Sequence, residues 1–259
     1  MAVVNRSRQI AGAGTQAAVW ASDPALAGVP VATLDALAPP GVRVMVVAPH
    51  PDDEILSCAG LLQQVAARGE TALIVAVTDG EASHPGSPDW PPARLGRERA
   101  RETRLALACL GIDVQLERLG IPDGGVTAAQ HDLAERLAAL VTADDVVITT
   151  WRFDGHPDHE STARACAAVC RQRGARLLQV PVWGWHWSAP GDGALPLNHA
   201  RKLALDPQQV ERKRAAIDCF RSQVEGDAST GAAPILPMFA IERVLHPFEL
   251  YIEEPHLDD

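Results

Sequence analysis

The stretch Arg43-Val44-Met45-Val46-Val47-Ala48-Pro49-His50-Pro51-Asp52-Asp53-Glu54 joins an unbroken apolar run to an acidic, histidine-bearing turn. An apolar run that does not alternate reads as a strand covered on both faces, the habit of parallel sheets. Ile55 to Arg68 then reads as a helix stopped by Gly69, and Thr71 to Thr78 as a second buried strand. That is a βαβ unit. Outward from it, Ala82 to Pro92 has loop composition, Arg94 to Leu110 is an amphipathic helix ending at Gly111, and Val114 to Leu119 is a strand. A turn at Pro122-Asp123-Gly124-Gly125 precedes a helix over Ala128 to Val141 and a strand over Val146 to Thr150. Beyond that strand lies a second box, His156-Pro157-Asp158-His159, which leads into a helix to Arg173 and a strand over Ala175 to Val182. The last third is less regular: Gln208 to Gln223 reads as a helix, and Ala240 to Leu245 and Phe248 to Ile252 as short strands. Strands alternating with helices predict an α/β protein, a Rossmann-like three-layer sandwich with a mostly parallel central sheet.

At 259 residues and 27.6 kDa, 47% hydrophobic, and with no polar linker between halves, the chain is expected to form one domain over 1–259. A net charge of -10 argues against a nucleic-acid surface. The first twenty residues, with Arg6, Arg8, Gln9 and Gln16, make a poor signal peptide, and no run is long enough to span a membrane, so a cytoplasmic protein is expected. Cys58, Cys109, Cys166, Cys170 and Cys219 are scattered and odd in number, which favours free thiols. Gly12-Ala13-Gly14 with Ala17 has the spacing of a dinucleotide fingerprint but no strand before it, and is not a convincing one.

The chemistry lies in the two boxes. Each follows a strand, where sites form in parallel sheets, and each carries side chains three apart at a helix start, which converge on one side. His50, Asp53 and His159 make a mixed nitrogen and oxygen set for one divalent ion with a position left open; zinc suits it, and iron(II), cobalt and manganese are compatible. Asp52 neighbours the ligands and is the best general base, because a carboxylate beside an activated water can take its proton. His156 is placed to stabilise an oxyanion or help protonate a departing amine, and Asp158 to orient that imidazole or to hold the far nitrogen of a ligand histidine.

With these residues in view, the chain resembles the PIG-L/LmbE-like family of zinc-dependent N-acetylglucosaminyl de-N-acetylases, whose two motifs look like 49–54 and 156–159. Shorter similarities in the same order are Thr78-Asp79-Gly80-Glu81, the helix with Arg99, Glu102 and Leu110-Gly111, the loop with Asp123, and Lys213 through Ser222-Gln223. The resemblance implies a zinc hydrolase that removes an N-acetyl group from an amino sugar, with His50, Asp53 and His159 as ligands, Asp52 as base and His156 as the assisting histidine. It departs at Phe220, where a histidine is common, which removes a transferred substrate contact.

On the substrate side, Arg99 is expected to meet a sugar hydroxyl or phosphate, or else to form a structural salt bridge, and the resemblance implies that Asp123 lies in a substrate-side loop. Among Trp183, Trp185 and Trp187 at least one is expected to wall the site, since indole faces stack on sugars and apolar groups, with Trp185 and the supplementary polar His186 as the substrate contacts; core or oligomer contacts are the alternative. Trp90 either covers substrate or pins its loop. His84, His131, His199, His246 and His256 read as surface or local hydrogen-bonding residues. The expected substrate is an N-acetylated sugar, glycolipid or glycosylated natural product, with a metal-dependent esterase, another amidohydrolase or a glycan-binding domain as alternatives.

Overall fold

A computed structural model describes residues 8–253; Arg6 and His256 lie outside them. Eight strands form one sheet: β1 (Val31–Ala32), β2 (Arg43–Ala48), β3 (Ala72–Ala76), β4 (Gln115–Arg118), β5 (Asp145–Thr150), β6 (Arg176–Val180), β7 (Ala200–Ala204) and β8 (Phe248–Glu253). Their order across the sheet is β1-β7-β8-β6-β5-β2-β3-β4. Only β8 pairs antiparallel to its neighbours, so the sheet is mostly parallel, as expected.

Both faces of the central strands are buried. In β2, Val44 and Val46 join one apolar cluster with Ile55, Leu62, Leu107 and Ile217, while Met45 and Val47 join another with Leu133, Leu137 and Val169. This two-residue alternation sends successive side chains to opposite faces. Helices Asp53–Ala67, Pro92–Leu110 and Pro207–Ile217 cover one face, and Gln130–Leu140 and Pro157–Arg173 the other. Cys58, Cys166 and Cys170 are buried within these layers, and all five cysteines are free. No helix among the described residues is long and apolar enough to cross a membrane.

The chain runs from β2 outward to β3 and β4, then returns to place β5 on the other side of β2. The order reverses between β2 and β5, which is where an open parallel sheet leaves a crevice at its carboxyl edge. Both boxes start at that edge.

Two readings from the C-terminal third are corrected. Residues 240–245 are not a strand: Met238–Val244 is a helix starting after Pro237, with Ile241 and Val244 buried one turn apart. The helix expected over Gln208 to Gln223 breaks into Pro207–Ile217 and Arg221–Val224.

One buried ion pair ties these layers together. Lys213 Nζ lies 2.8 Å from Glu249 Oε1, both nearly inaccessible, and Glu249 also accepts from the backbone of Gly60 and Leu61 and from the Tyr251 hydroxyl. Removing one partner of a buried pair strands the other charge. Lys213→Met is expected to lower the unfolding free energy by about 3–5 kcal/mol, measured by chemical denaturation. A loss below about 1 kcal/mol would mean that hydrogen bonds alone hold the Glu249 carboxylate.

Candidate metal centre and active site

Beyond β2 the chain stays fastened to β3, since Pro49 O accepts from both the backbone and the hydroxyl of Thr78. The next residues turn sharply. Asp52 has φ 135 and ψ -29, the one non-glycine residue with positive φ among those described. Such a backbone costs on the order of 1–3 kcal/mol and persists only where its surroundings over-determine it. Here the Asp52 N–H donates to Glu54 Oε2 at 3.0 Å, and its carbonyl accepts from Ile55 and Leu56. The turn brings the carboxylates of Asp52 and Asp53, adjacent in sequence, into one cavity.

The two boxes meet there. His50 Nδ1 and His159 Nε2 are 3.2 Å apart, and Asp53 Oδ2 lies 3.4 Å from the first and 3.3 Å from the second. A tetrahedral ion with bonds of ~2.0–2.1 Å holds its ligand atoms about 3.3–3.4 Å apart. The far sides of both rings explain why these nitrogens face inward. His159 Nδ1 is 2.8 Å from Asp154 Oδ2, and His50 Nε2 is 3.2 Å from Asp123 Oδ1 and 3.3 Å from Asp158 Oδ2. With each ring proton on its carboxylate side, three lone-pair atoms converge with no proton between them. The donor set fits a divalent cation.

The electrostatics agree. Burial alone would lower the imidazoles, but the surrounding carboxylates outweigh it, raising His50 well above its usual value and His159 to about 9. Burial would raise Asp53, yet His159 and His50 hold it well below the carboxylate range. The cluster draws positive charge.

Asp52 differs from Asp53. Burial raises its carboxyl to about 7, assisted by Asp53 and opposed by Arg99 and the two histidines. Arg99 Nη2 donates to Asp52 Oδ2 at 2.9 Å and to Pro51 O, and Nη1 to Gly80 O at 3.0 Å. Gly80, at φ +65, makes room, since a Cβ there would lie 2.1 Å from Arg99 Nη1. Arg99 therefore forms the salt bridge of the two expectations, although it also lines the cavity and keeps a buried Nε–H without a partner.

His156 is lowered to about 4 by burial and by the neighbouring His159 and His50. Its Nδ1 accepts the Asp158 N–H at 3.3 Å, which leaves the proton of the neutral ring on Nε2. The Asp158 backbone thus orients His156, while the Asp158 carboxylate takes up His50 and the N–H groups of Gly124 and Val126. Asp123 lines the cavity, but its oxygens are engaged by His50 and by Ala82 N–H, and its carboxyl falls to about 2 as those contacts overcome burial.

The aromatic wall is only partly as expected. Trp183 lines the cavity, and Trp185 and His186 do not. Gly184–Trp187 is a helical turn, which rotates successive side chains by about 100° each instead of alternating them. Trp185 is buried edge-on against Trp20, Trp187 stacks on Trp151, and His186 points toward the backbone near the N-terminus. Trp90 pins its loop, with the Arg94 guanidinium 4.9 Å above its ring. Phe220 is buried in the core, and Ser222 holds Glu102, while Gln223 lines the cavity. His131 and His199 are exposed, His84 bonds Ser83, and His246 is buried against Phe248.

Two functional residues carried no role in the sequence reading. Glu54, raised to about 8 mainly by burial, fixes the Asp52 backbone. Asp154 is fully buried: Oδ2 takes His159 Nδ1 and Trp183 N–H, and Oδ1 takes the N–H groups of Val182 and Gly184. Its position five residues before His159, across a glycine turn, was the available signal. An asparagine there would turn an NH2 group toward N–H donors whichever way it faced. Asp154→Asn is accordingly expected to weaken metal affinity about 10–100-fold, read by competition with a chelator. Unchanged affinity would mean that packing alone orients His159.

Comparison with known proteins places this geometry. The family described as "PIG-L: GlcNAc-PI de-N-acetylase" matches residues 45–170. A 1D-myo-inositol 2-acetamido-2-deoxy-alpha-D-glucopyranoside deacetylase of Mycolicibacterium gilvum is 32% identical over 181 residues, 59% of this chain and 61% of the relative. The chain spans between about half and two thirds of the length of the curated relatives it matches first. Among solved structures, a conserved protein from Thermus thermophilus is 30% identical with a TM-score of 0.53, covering 71% of this chain and 80% of that one. The zinc-inhibited form of a teicoplanin deacetylase shares the fold at 20% identity and a TM-score of 0.55, covering 71% and 85%.

Proposed function

The chain belongs to the PIG-L family, and from that premise we propose that it is a zinc-dependent hydrolase that removes an N-acetyl group from an amino sugar or amino-sugar-containing small molecule. The observation that carries this reading is the convergence of His50 Nδ1, Asp53 Oδ2 and His159 Nε2 beside the Asp52 carboxylate, in one cavity at the reversal of strand order. The reading takes the chain as one domain, with its free cysteines suited to the cytoplasm.

His50, Asp53 and His159 would hold the ion, which when bound supplies a Lewis acid to the amide carbonyl and lowers the pKa of water. Asp52 accepts the proton of the water that attacks the carbonyl carbon, and a carboxyl near 7 suits both taking and returning a proton at neutral pH. Arg99 steadies the Asp52 carboxylate and, through Pro51 O and Gly80 O, the two loops that flank it. His156, neutral and protonated on Nε2, donates to the oxygen on which negative charge develops. The C–N bond then breaks as Asp52 returns the proton to nitrogen, leaving acetate and a free amine.

The test is incubation of metal-loaded protein with N-acetylated sugars, glycolipids and glycosylated natural products, followed by mass spectrometry. Loss of an acetyl mass from one of them is the expected result. Cleavage of esters with all amides intact would replace the reading with an esterase, and binding without turnover would replace it with a glycan-binding role.

A further inference from the structure

The cavity before the boxes encloses about 610 Å3, within the ~300–1,000 Å3 range of sites that take drug-sized ligands. Its reactive residues are polar, but Ile10, Trp183, Pro234, Ile235 and Leu236 also line it. Ile235 is 38% exposed, an apolar side chain left open at the cavity. All five lie outside residues 45–170.

Ile10 comes from a segment without regular structure that runs along the site and is fastened on both sides of that residue. On one side the Arg8 guanidinium meets Glu160 at 3.2 Å and covers the Phe153 ring at 5.1 Å. On the other, His186 Nε2 donates to Ala11 O at 3.0 Å, and Arg243 donates to the carbonyls of Ala13 and Thr15. Arg243 Nη1 also donates to His186 Nδ1 at 2.9 Å, which sets the tautomer that reaches Ala11. Arg243 is 1% exposed, and no carboxylate pairs with it among the described residues. A buried guanidinium is costly unless its donors are satisfied, and carbonyls of this segment satisfy them here. Gly14, at φ +58, is the close approach: a Cβ would lie 2.6 Å from His186 Nδ1 and His186 O. Gly14, the second glycine of the nucleotide-like spacing, thus belongs to this fastening.

We propose that residues 8–15 complete an apolar subsite beside the reaction centre, and that the amino sugar carries an alkyl or aryl aglycone packing on Ile10 and Trp183. This rests on the deacetylase reading, and it narrows the substrate class. An inositol-like polar aglycone would leave the same side chains facing water.

The experiment compares methyl, octyl and phenyl 2-acetamido-2-deoxyglucosides as substrates of the metal-loaded full chain, and as ligands of Asp52→Asn by calorimetry. The octyl or phenyl compound is expected to exceed the methyl one in kcat/KM by about tenfold or more. Ile10→Ser, and separately Gly14→Val, should each shrink that ratio about five- to tenfold. Hydrolysis with a ratio near one, or a ratio that neither variant moves, overturns the subsite and leaves the deacetylase reading intact. Absence of hydrolysis, with the octyl or phenyl compound still bound more tightly and loosened by Ile10→Ser, overturns the deacetylase reading and keeps the subsite. Neither hydrolysis nor binding overturns both.

Discussion

Asp52→Asn is expected to reduce kcat for deacetylation by about 10^2–10^4-fold, the usual contribution of a positioned general base. Metal stoichiometry should be unchanged, because His50, Asp53 and His159 supply the converging atoms and Asp52 does not. Asparagine keeps an oxygen for Arg99 and is among the residues that best tolerate positive φ, so the fold should survive. The pH dependence gives a second readout. Burial raises Asp52 from its ordinary value to about 7, and the deprotonated form is the one that acts. Activity should therefore be present above that pKa and be lost as pH falls through it. A bound dication favours the carboxylate further and places this acid limb at or below pH 7. The residual activity of the asparagine variant should lack the limb. Turnover within threefold of the native protein, with the limb retained, would move the base elsewhere, and Glu54 or Asp123 would then need testing.

The second large effect is expected at His159. His159→Ala removes one of three converging ligand atoms and leaves the buried Asp53 carboxylate with His50 alone. Metal affinity should fall by more than about 100-fold, beyond what loss of an orienting partner alone produces, and deacetylation should vanish with the metal. Metal analysis after dialysis against a weak chelator measures the first, and mass spectrometry the second. This variant also separates two ways of using His50. His50 Nε2 forms another potential ligand group with Asp123 and Asp158 on the opposite side of the ring. The Asp158 oxygens there already accept backbone N–H groups, which argues for His50 donating a proton on that side. Retention of stoichiometric, tightly held metal in His159→Ala would reverse that assignment.

The parts legible in sequence were those whose cause is local. The runs 44–48, 72–76 and 146–150 could only be doubly covered strands, and each box announced itself through side chains three apart. Their meeting required only that β2 and β5 be neighbours, which the repeated βα pattern made natural. What escaped depends on partners distant in sequence. β7 carries Arg201 and Lys202 and is a strand because β8 and β1 flank it. The run 240–245 is too short to show a helical period on its own, but Pro237 starts a helix and Arg243 turns inward to carbonyls more than 200 residues earlier. Asp154 looked like a loop acid until the return of β6 brought three N–H groups to it. Trp185 and His186 leave the wall because Gly184–Trp187 is a helical turn that carries them away from the cavity.

Asp154 bears on how such a site can change. It grips both the ligand His159 and the start of the turn that carries Trp183, and it grips the latter through backbone N–H groups alone. The side chain at position 183 is thereby free to be exchanged without loosening the metal ligand. A library randomised at 183, together with Ile10 and Ile235, would vary what the cavity admits while leaving the metal-ligand cluster in place, making these positions the natural starting point for redirecting the proposed activity to other acceptors.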